Sequence, residues 1–192
     1  MNTIQLDQSV LVLIDYQTRL MPSMDDGELL IAHAIRLADM AIALGVPVIG
    51  TEQNPASLGL NVPSIRSRCG RIVEKTHFDA CADGLLDVLA SARPKRGADA
   101  SLDIVIAGCE AHVCLMQTSL GLLRAGHRVW VVAEASGSRL AFNRKQALRR
   151  LRQSGAQLVG VEMVAFEWLK DCRHERFKHL LPMLKAAPVS SR

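Results

Sequence analysis

Short β-like runs alternate six times with amphipathic stretches along this chain, and that alternation leaves few folds open. Val10-Leu-Val-Leu-Ile14 is continuously apolar, as a strand buried on both faces of a parallel sheet must be. Leu29–Leu44 then places Leu30, Ala34, Leu37, Ala41 and Leu44 on one helical side, and Gly45 stops it. Val46–Ile49 reads as a second strand with its proline near the start, and Arg71–Lys75 as a third. Gly84–Ala92 reads as a helix and Arg93–Ser101 as an exposed polar loop. Further strands are expected at Leu102–Ala107, Val129–Ala133 and Gln157–Val161, with helices at Ala111–Ala125 and Asn143–Ser154 and two short ones in Met163–Lys185. The pattern predicts an α/β fold: a three-layer, doubly wound, Rossmann-like and mainly parallel six-stranded sheet with helices on both faces. No repeat or linker divides residues 1–192, so a single domain is expected.

Several function classes are disfavoured early. No apolar run reaches the roughly 18 residues that a membrane helix needs. Met1–Gln8 lacks the basic-then-apolar order of a secretory leader, so a cytoplasmic location without membrane partners is expected. The five cysteines (Cys69, Cys81, Cys109, Cys114 and Cys172) are odd in number and form no C-x-x-C pair, which suits reduced thiols. Arg139, Arg144, Lys145, Arg149, Arg150 and Arg152 concentrate the positive charge, but Ala147, Leu148 and Leu151 between them read as the inner side of a solvated helix. With aromatics at only 4%, no nucleic-acid partner is expected.

In a doubly wound sheet the ligand crevice lies beyond the carboxyl ends of the strands. That rule selects Asp15 at the end of strand one, Lys75 at the end of strand three, and the loop Gly108-Cys-Glu-Ala-His-Val-Cys114 after strand four. An acid, a base and a thiol thus meet on one rim. Cys114 near the first turn of a helix would have its thiol pKa lowered by unpaired N–H groups. A carboxylate could then serve as base and an ammonium could steady the charges. Taken singly, each residue has a plainer reading. Cys114 could be a buried core cysteine, Lys75 an exposed strand end, and Asp15 a magnesium ligand, although its neighbours Tyr16 and Gln17 supply no further acid.

Leu13-Ile-Asp-Tyr-Gln17, Glu74-Lys-Thr-His-Phe78, Gly108-Cys-Glu-Ala-His-Val-Cys114 and Ala133-Glu-Ala-Ser-Gly-Ser-Arg139 occur in an order that resembles the isochorismatase-like cysteine hydrolases. Thr51-Glu-Gln-Asn54, Leu58-Gly59 and Leu151-Arg-Gln-Ser-Gly-Ala156 are similar to the branch called isochorismatase domain-containing proteins. The resemblance implies Asp15 as base, Lys75 as its charged partner and Cys114 as nucleophile. It also implies an oxyanion hole from the backbone N–H groups of Glu110 and Cys114, and a cis Cys109–Glu110 peptide. Ala111 stands where the family often has Thr, and Cys109 replaces a more usual aliphatic residue, by packing or as a redox partner of Cys114. The metal-binding branch carries Asp-x-His after strand two; here Glu52, Gln53 and Asn54 stand there, so no metal and no cofactor are expected.

Tyr16, Gln53, His77, Phe78 and His112 are the candidate pocket walls, with His77 and His112 equally suited to structural hydrogen bonds. Gln17 is expected to support the loops, and Trp130 and Trp168 to lie in the core or an interface. The implied activity is hydrolysis of a small amide, imide or related C–N substrate through a thioester-type intermediate. The alternatives are a non-catalytic or redox-responsive binding or scaffold member of the fold and, more remotely, a magnesium phosphatase. A homo-oligomer is expected, with Leu180, Leu181 and Leu184 as an interface.

Overall fold

A computed structural model describes residues 3–92 and 101–185. The expected loop at Arg93–Ser101 therefore lies, apart from Ser101, outside the described residues. Six strands, β1 (Ser9–Ile14), β2 (Val48–Gln53), β3 (Arg71–Lys75), β4 (Asp103–Gly108), β5 (Arg128–Val132) and β6 (Gln157–Val159), form one sheet in the order β3-β2-β1-β4-β5-β6. All five pairings are parallel, so the sheet is wholly rather than mainly parallel. The order reverses between β1 and β4, which makes their carboxyl ends the switch point where crevices open.

Strand parity sorts the core. Leu11, Leu13, Val105, Ala107 and Val132 face one side, where α1 (Gly27–Ala43), α7 (Val161–Leu169) and α8 (Phe177–Lys185) pack on them. Val10, Val12, Ile14, Ile104, Ile106 and Val131 face the other, under α4 (Leu85–Ala92), α5 (Met116–Arg124) and α6 (Ala141–Gln153). Every residue of β1 and β4 is buried, which explains why those runs show no polar alternation. Trp130 and Trp168 are core residues whose indole N–H groups donate to Asp103 Oδ1 and Ser9 Oγ, both at 2.8 Å. On α6, Ala147, Leu148 and Leu151 are buried while Lys145, Arg149, Arg150 and Arg152 are exposed.

Three local differences have simple causes. Strand β2 begins after Pro47, which has no N–H to give, and runs on through Thr51, Glu52 and Gln53, polar residues that look like a loop until both neighbouring strands are in place. The expected helix at Ala111 begins instead as a π-helical turn, Ala111–Leu115, and becomes α5 only at Met116. Strand β6 stops at Val159 because Val161 already opens α7. The short helices α2 (Pro55–Leu58) and α3 (Pro63–Arg66), each opened by proline, fold the chain between β2 and β3. Leu180 and Leu184 are not interface residues: they are buried in the cluster that contains α1, so the amphipathic tail spends its apolar face on its own core. No helix among the described residues is long and apolar enough to cross a membrane.

Candidate active site

The parallel ladder aligns three strand ends. Ile14 pairs with both Thr51 and Gly108, and Gln53 pairs with Lys75, so Asp15, Gln53, Lys75 and the loop after β4 converge. Asp15 leaves its strand at φ 52, a left-handed turn that Asp tolerates better than most side chains. Its Oδ1 accepts the Thr51 hydroxyl at 2.6 Å, and its Oδ2 lies 2.8 Å from Lys75 Nζ with no hydrogen-bond donor in line. Neither side chain of this ion pair has any exposed surface. Lys75 Nζ also donates to Gln53 Oε1 at 2.6 Å and to the His77 carbonyl at 3.4 Å.

Cys114 sits in the π-helical turn, 6% exposed, its thiol directed at Gln53 Oε1 at 3.9 Å. Burial first, and then the Asp15 carboxylate, push this thiol up to about 12 against the opposing Lys75 ammonium. The expectation of a lowered thiol pKa is therefore overturned. The sulfur lies inside a π-helical turn rather than at the open first turn of α5, so desolvation outweighs the helix field. Near neutral pH the Cys114 thiol is therefore protonated. Titrated by ultraviolet thiolate absorbance against Cys114→Ala, it is expected to give no thiolate signal between about pH 6 and pH 9, since a raised pKa moves ionisation to higher pH. A plateau in that range would contradict the buried geometry.

The loop from Gly108 to Cys114 is held from the far side by Ala133–Arg139. Ala111 N–H donates to the Gly137 carbonyl at 2.6 Å, and Gly137 N–H to the Gly108 carbonyl at 3.2 Å. Arg139 Nε lies 3.1 Å from both Glu110 carboxylate oxygens, while its backbone N–H donates to Oε2 at 3.0 Å. His112 is occupied by Ser138 Oγ at 3.0 Å and Asn143 Nδ2 at 3.4 Å, which is a bracing role. The Cys109–Glu110 peptide is cis, as the resemblance implied. Gln17 spans the rim: its side chain accepts from Gln53 N–H at 2.8 Å and donates to the Gln53 carbonyl at 3.0 Å.

Other candidates fall elsewhere. Tyr16 is not a pocket wall: it is wholly buried in the α1-side core, its hydroxyl donates to the Ala135 carbonyl, and burial holds it well above its ordinary pKa. His77, with 64% of its side chain exposed, points at Asp83 Oδ1 at 2.8 Å, and Phe78 is half exposed beside it. Cys109 packs in the α1-side cluster whereas Cys114 lies in the opposite one, and burial above all pushes Cys109 up to about 12. Thr51 was missed. A strand threonine carries no sign of its role until the register sets it beside Asp15.

The decisive match is to the isochorismatase domain, whose family model covers residues 9–163. The chain belongs to the isochorismatase family. Isochorismatase domain-containing protein 2 of Xenopus laevis is 37% identical over 183 residues, 95% of this chain and 86% of its own length. Among solved structures, the MAR1 ribonuclease of Caenorhabditis elegans superposes with a TM-score of 0.87 at 30% identity, covering 98% of this chain and 96% of that one. The YcaC gene product of Escherichia coli, described as an octameric hydrolase of unknown specificity, shares the fold with a TM-score of 0.84 at 24% identity over 96% of this chain and 90% of its own. In this isochorismatase-family chain the Ala133–Arg139 segment thus has a mechanical role: it braces the loop that carries Cys114.

Proposed function

We propose that this chain is a cysteine hydrolase of small amides, imides or related C–N substrates, working through a thioester-type intermediate. The observation that carries this reading is the fully buried Asp15–Lys75 pair at 2.8 Å, placed at the same strand ends as the thiol it perturbs. Two charges removed from water at a crevice, beside a nucleophile, suit catalysis better than stability, because burial of such a pair costs several kcal/mol per ion.

In this mechanism the neutral Cys114 thiol gives its proton to Asp15 Oδ2, the carboxylate oxygen without an aligned donor, as sulfur bonds the acyl carbon. Lys75 keeps the charge of the Asp15–Cys114 unit balanced throughout. The backbone N–H groups of Glu110 and Cys114 take the developing oxyanion. Asp15 then passes the proton to the departing nitrogen, the C–N bond breaks, and the thioester remains. Water hydrolyses it to the acid and restores the thiol. The charge needed at the nucleophile comes from Lys75.

Incubation with a panel of small amides and imides, followed by intact-mass analysis, is expected to show an acyl adduct on wild type that hydroxylamine removes and Cys114→Ala never forms. An adduct mapped to another residue would refute the assignment. A homo-oligomer is proposed as well. Support comes from the octameric relative and from exposed Leu140 and Phe142, 62% and 69% accessible, which follow Arg139 in the chain.

A further inference from the structure

Gln53 is held more completely than a pocket wall requires. Its backbone N–H and carbonyl are both engaged by the Gln17 carboxamide, at 2.8 and 3.0 Å. Its side-chain Nε2 donates to the Thr76 carbonyl at 2.7 Å, so Oε1 is forced to face Lys75 Nζ, 2.6 Å away. A flipped carboxamide would set an NH2 group against an ammonium. The residue is 9% exposed, at the edge of the buried site.

A carbonyl oxygen has two acceptor positions. One on Gln53 is filled by Lys75, and the other looks toward the Cys114 sulfur at 3.9 Å, the outer limit for a thiol donor. Lys75 Nζ donates to Gln53 Oε1 and the His77 carbonyl and lies against Asp15 Oδ2 with no exposed side-chain surface, so it is not turned toward a substrate. The Gln53–Lys75 side of the site therefore offers an incoming molecule an acceptor beside Cys114.

We infer that Gln53 is the specificity-determining residue that selects substrates with an N–H on the leaving group, by accepting that N–H on Oε1. The inference rests on Cys114 being the nucleophile. A leaving nitrogen is one bond from the carbon that sulfur attacks, within reach of the oxygen 3.9 Å from that sulfur. When sulfur bonds that carbon, the thiol proton moves to Asp15, leaving the second position on Oε1 to the substrate. An ester places an oxygen lone pair there instead, and a site built around an N–H contact rejects an analogue that lacks it.

Acetamide and methyl acetate test this, since they deliver the same acetyl group with and without the N–H. Kcat/KM for both would be measured with wild type, Gln53→Met and Gln53→Glu, with Cys114 acetylation followed by mass. The Met variant keeps length and loses the acceptor; it is expected to lower acetamide turnover about tenfold more than methyl acetate turnover. The Glu variant keeps an acceptor and is expected to hold the wild-type amide-to-ester ratio within about threefold. Equal loss on both substrates in Gln53→Met would overturn the inference and leave Gln53 as a brace for Lys75. So would a ratio that collapses in Gln53→Glu, or wild type acetylated by the ester but not by the amide. Failure of both reagents to acetylate Cys114 would instead overturn the nucleophile reading, and this inference with it.

Discussion

Asp15→Asn is expected to reduce amide turnover about 10³-fold and to destabilise the protein by about 3–5 kcal/mol, two losses with separate origins. The kinetic loss comes from removing the base: asparagine preserves the shape and the Thr51 hydrogen bond but cannot take the Cys114 proton, and the thiol is neutral at rest. The stability loss comes from Lys75, whose ammonium is left without its countercharge where no surface is exposed to water. The two separate in a cycle. Lys75→Met alone strands the carboxylate and is expected to be as unstable as Asp15→Asn, while the double variant Asp15→Asn/Lys75→Met recovers most of the stability and none of the activity. Denaturant midpoints and kcat for the four proteins check this. A double variant no more stable than either single one would show that the charges are not coupled as their geometry requires. Asp15→Asn retaining a tenth or more of wild-type kcat would remove Asp15 as the base.

Gly108→Ala is expected to be the most damaging single methyl group added near the site. Gly108 ends β4 at φ 149, and a Cβ there would lie 2.2 Å from the Ile14 carbonyl oxygen and 2.5 Å from the Ile14 Cβ. Both atoms belong to the neighbouring strand, so relief requires β1 and β4 to part just where Asp15 and the nucleophile loop begin. A loss of about 4 kcal/mol, a fall in Tm on the order of 10 °C, and loss of turnover are expected together. Gly126→Ala is the matched control. It also has positive φ, 84, but a Cβ would meet nothing within 4 Å, so only the backbone conformation is penalised, by about 1 kcal/mol. Thermal melts of the two variants decide it. Equal melting temperatures would mean that contact with β1 contributes nothing.

The fold was legible because its signals are local and periodic. An unbroken apolar run such as Val10–Ile14 can only be a strand covered twice, and glycines at 45, 126 and 155 close the helices that follow the strands. Parallel connection then brings the carboxyl ends of the strands to one edge, so Asp15, Lys75 and the loop ending at Cys114 were readable as neighbours without coordinates. The cis peptide was readable only through family resemblance.

What tertiary structure decided are properties of pairs distant in sequence. Tyr16 and Gln17 are adjacent and both wholly buried, yet one reaches the Ala135 carbonyl and the other ties Gln53 to Gly59, because successive residues leaving a strand face opposite layers. Leu180 and Leu184 show the same amphipathic spacing whether a helix packs on its own domain or on a partner; only α1 settles which. Thr51 acquires its role from register, and Arg139 from a carboxylate 29 residues earlier. The ionisation of Cys114 moved furthest from expectation. Sequence position sets the helix field, a local quantity, whereas the water excluded by β1, β2 and β4 sets desolvation, which exists only once the strands have come together.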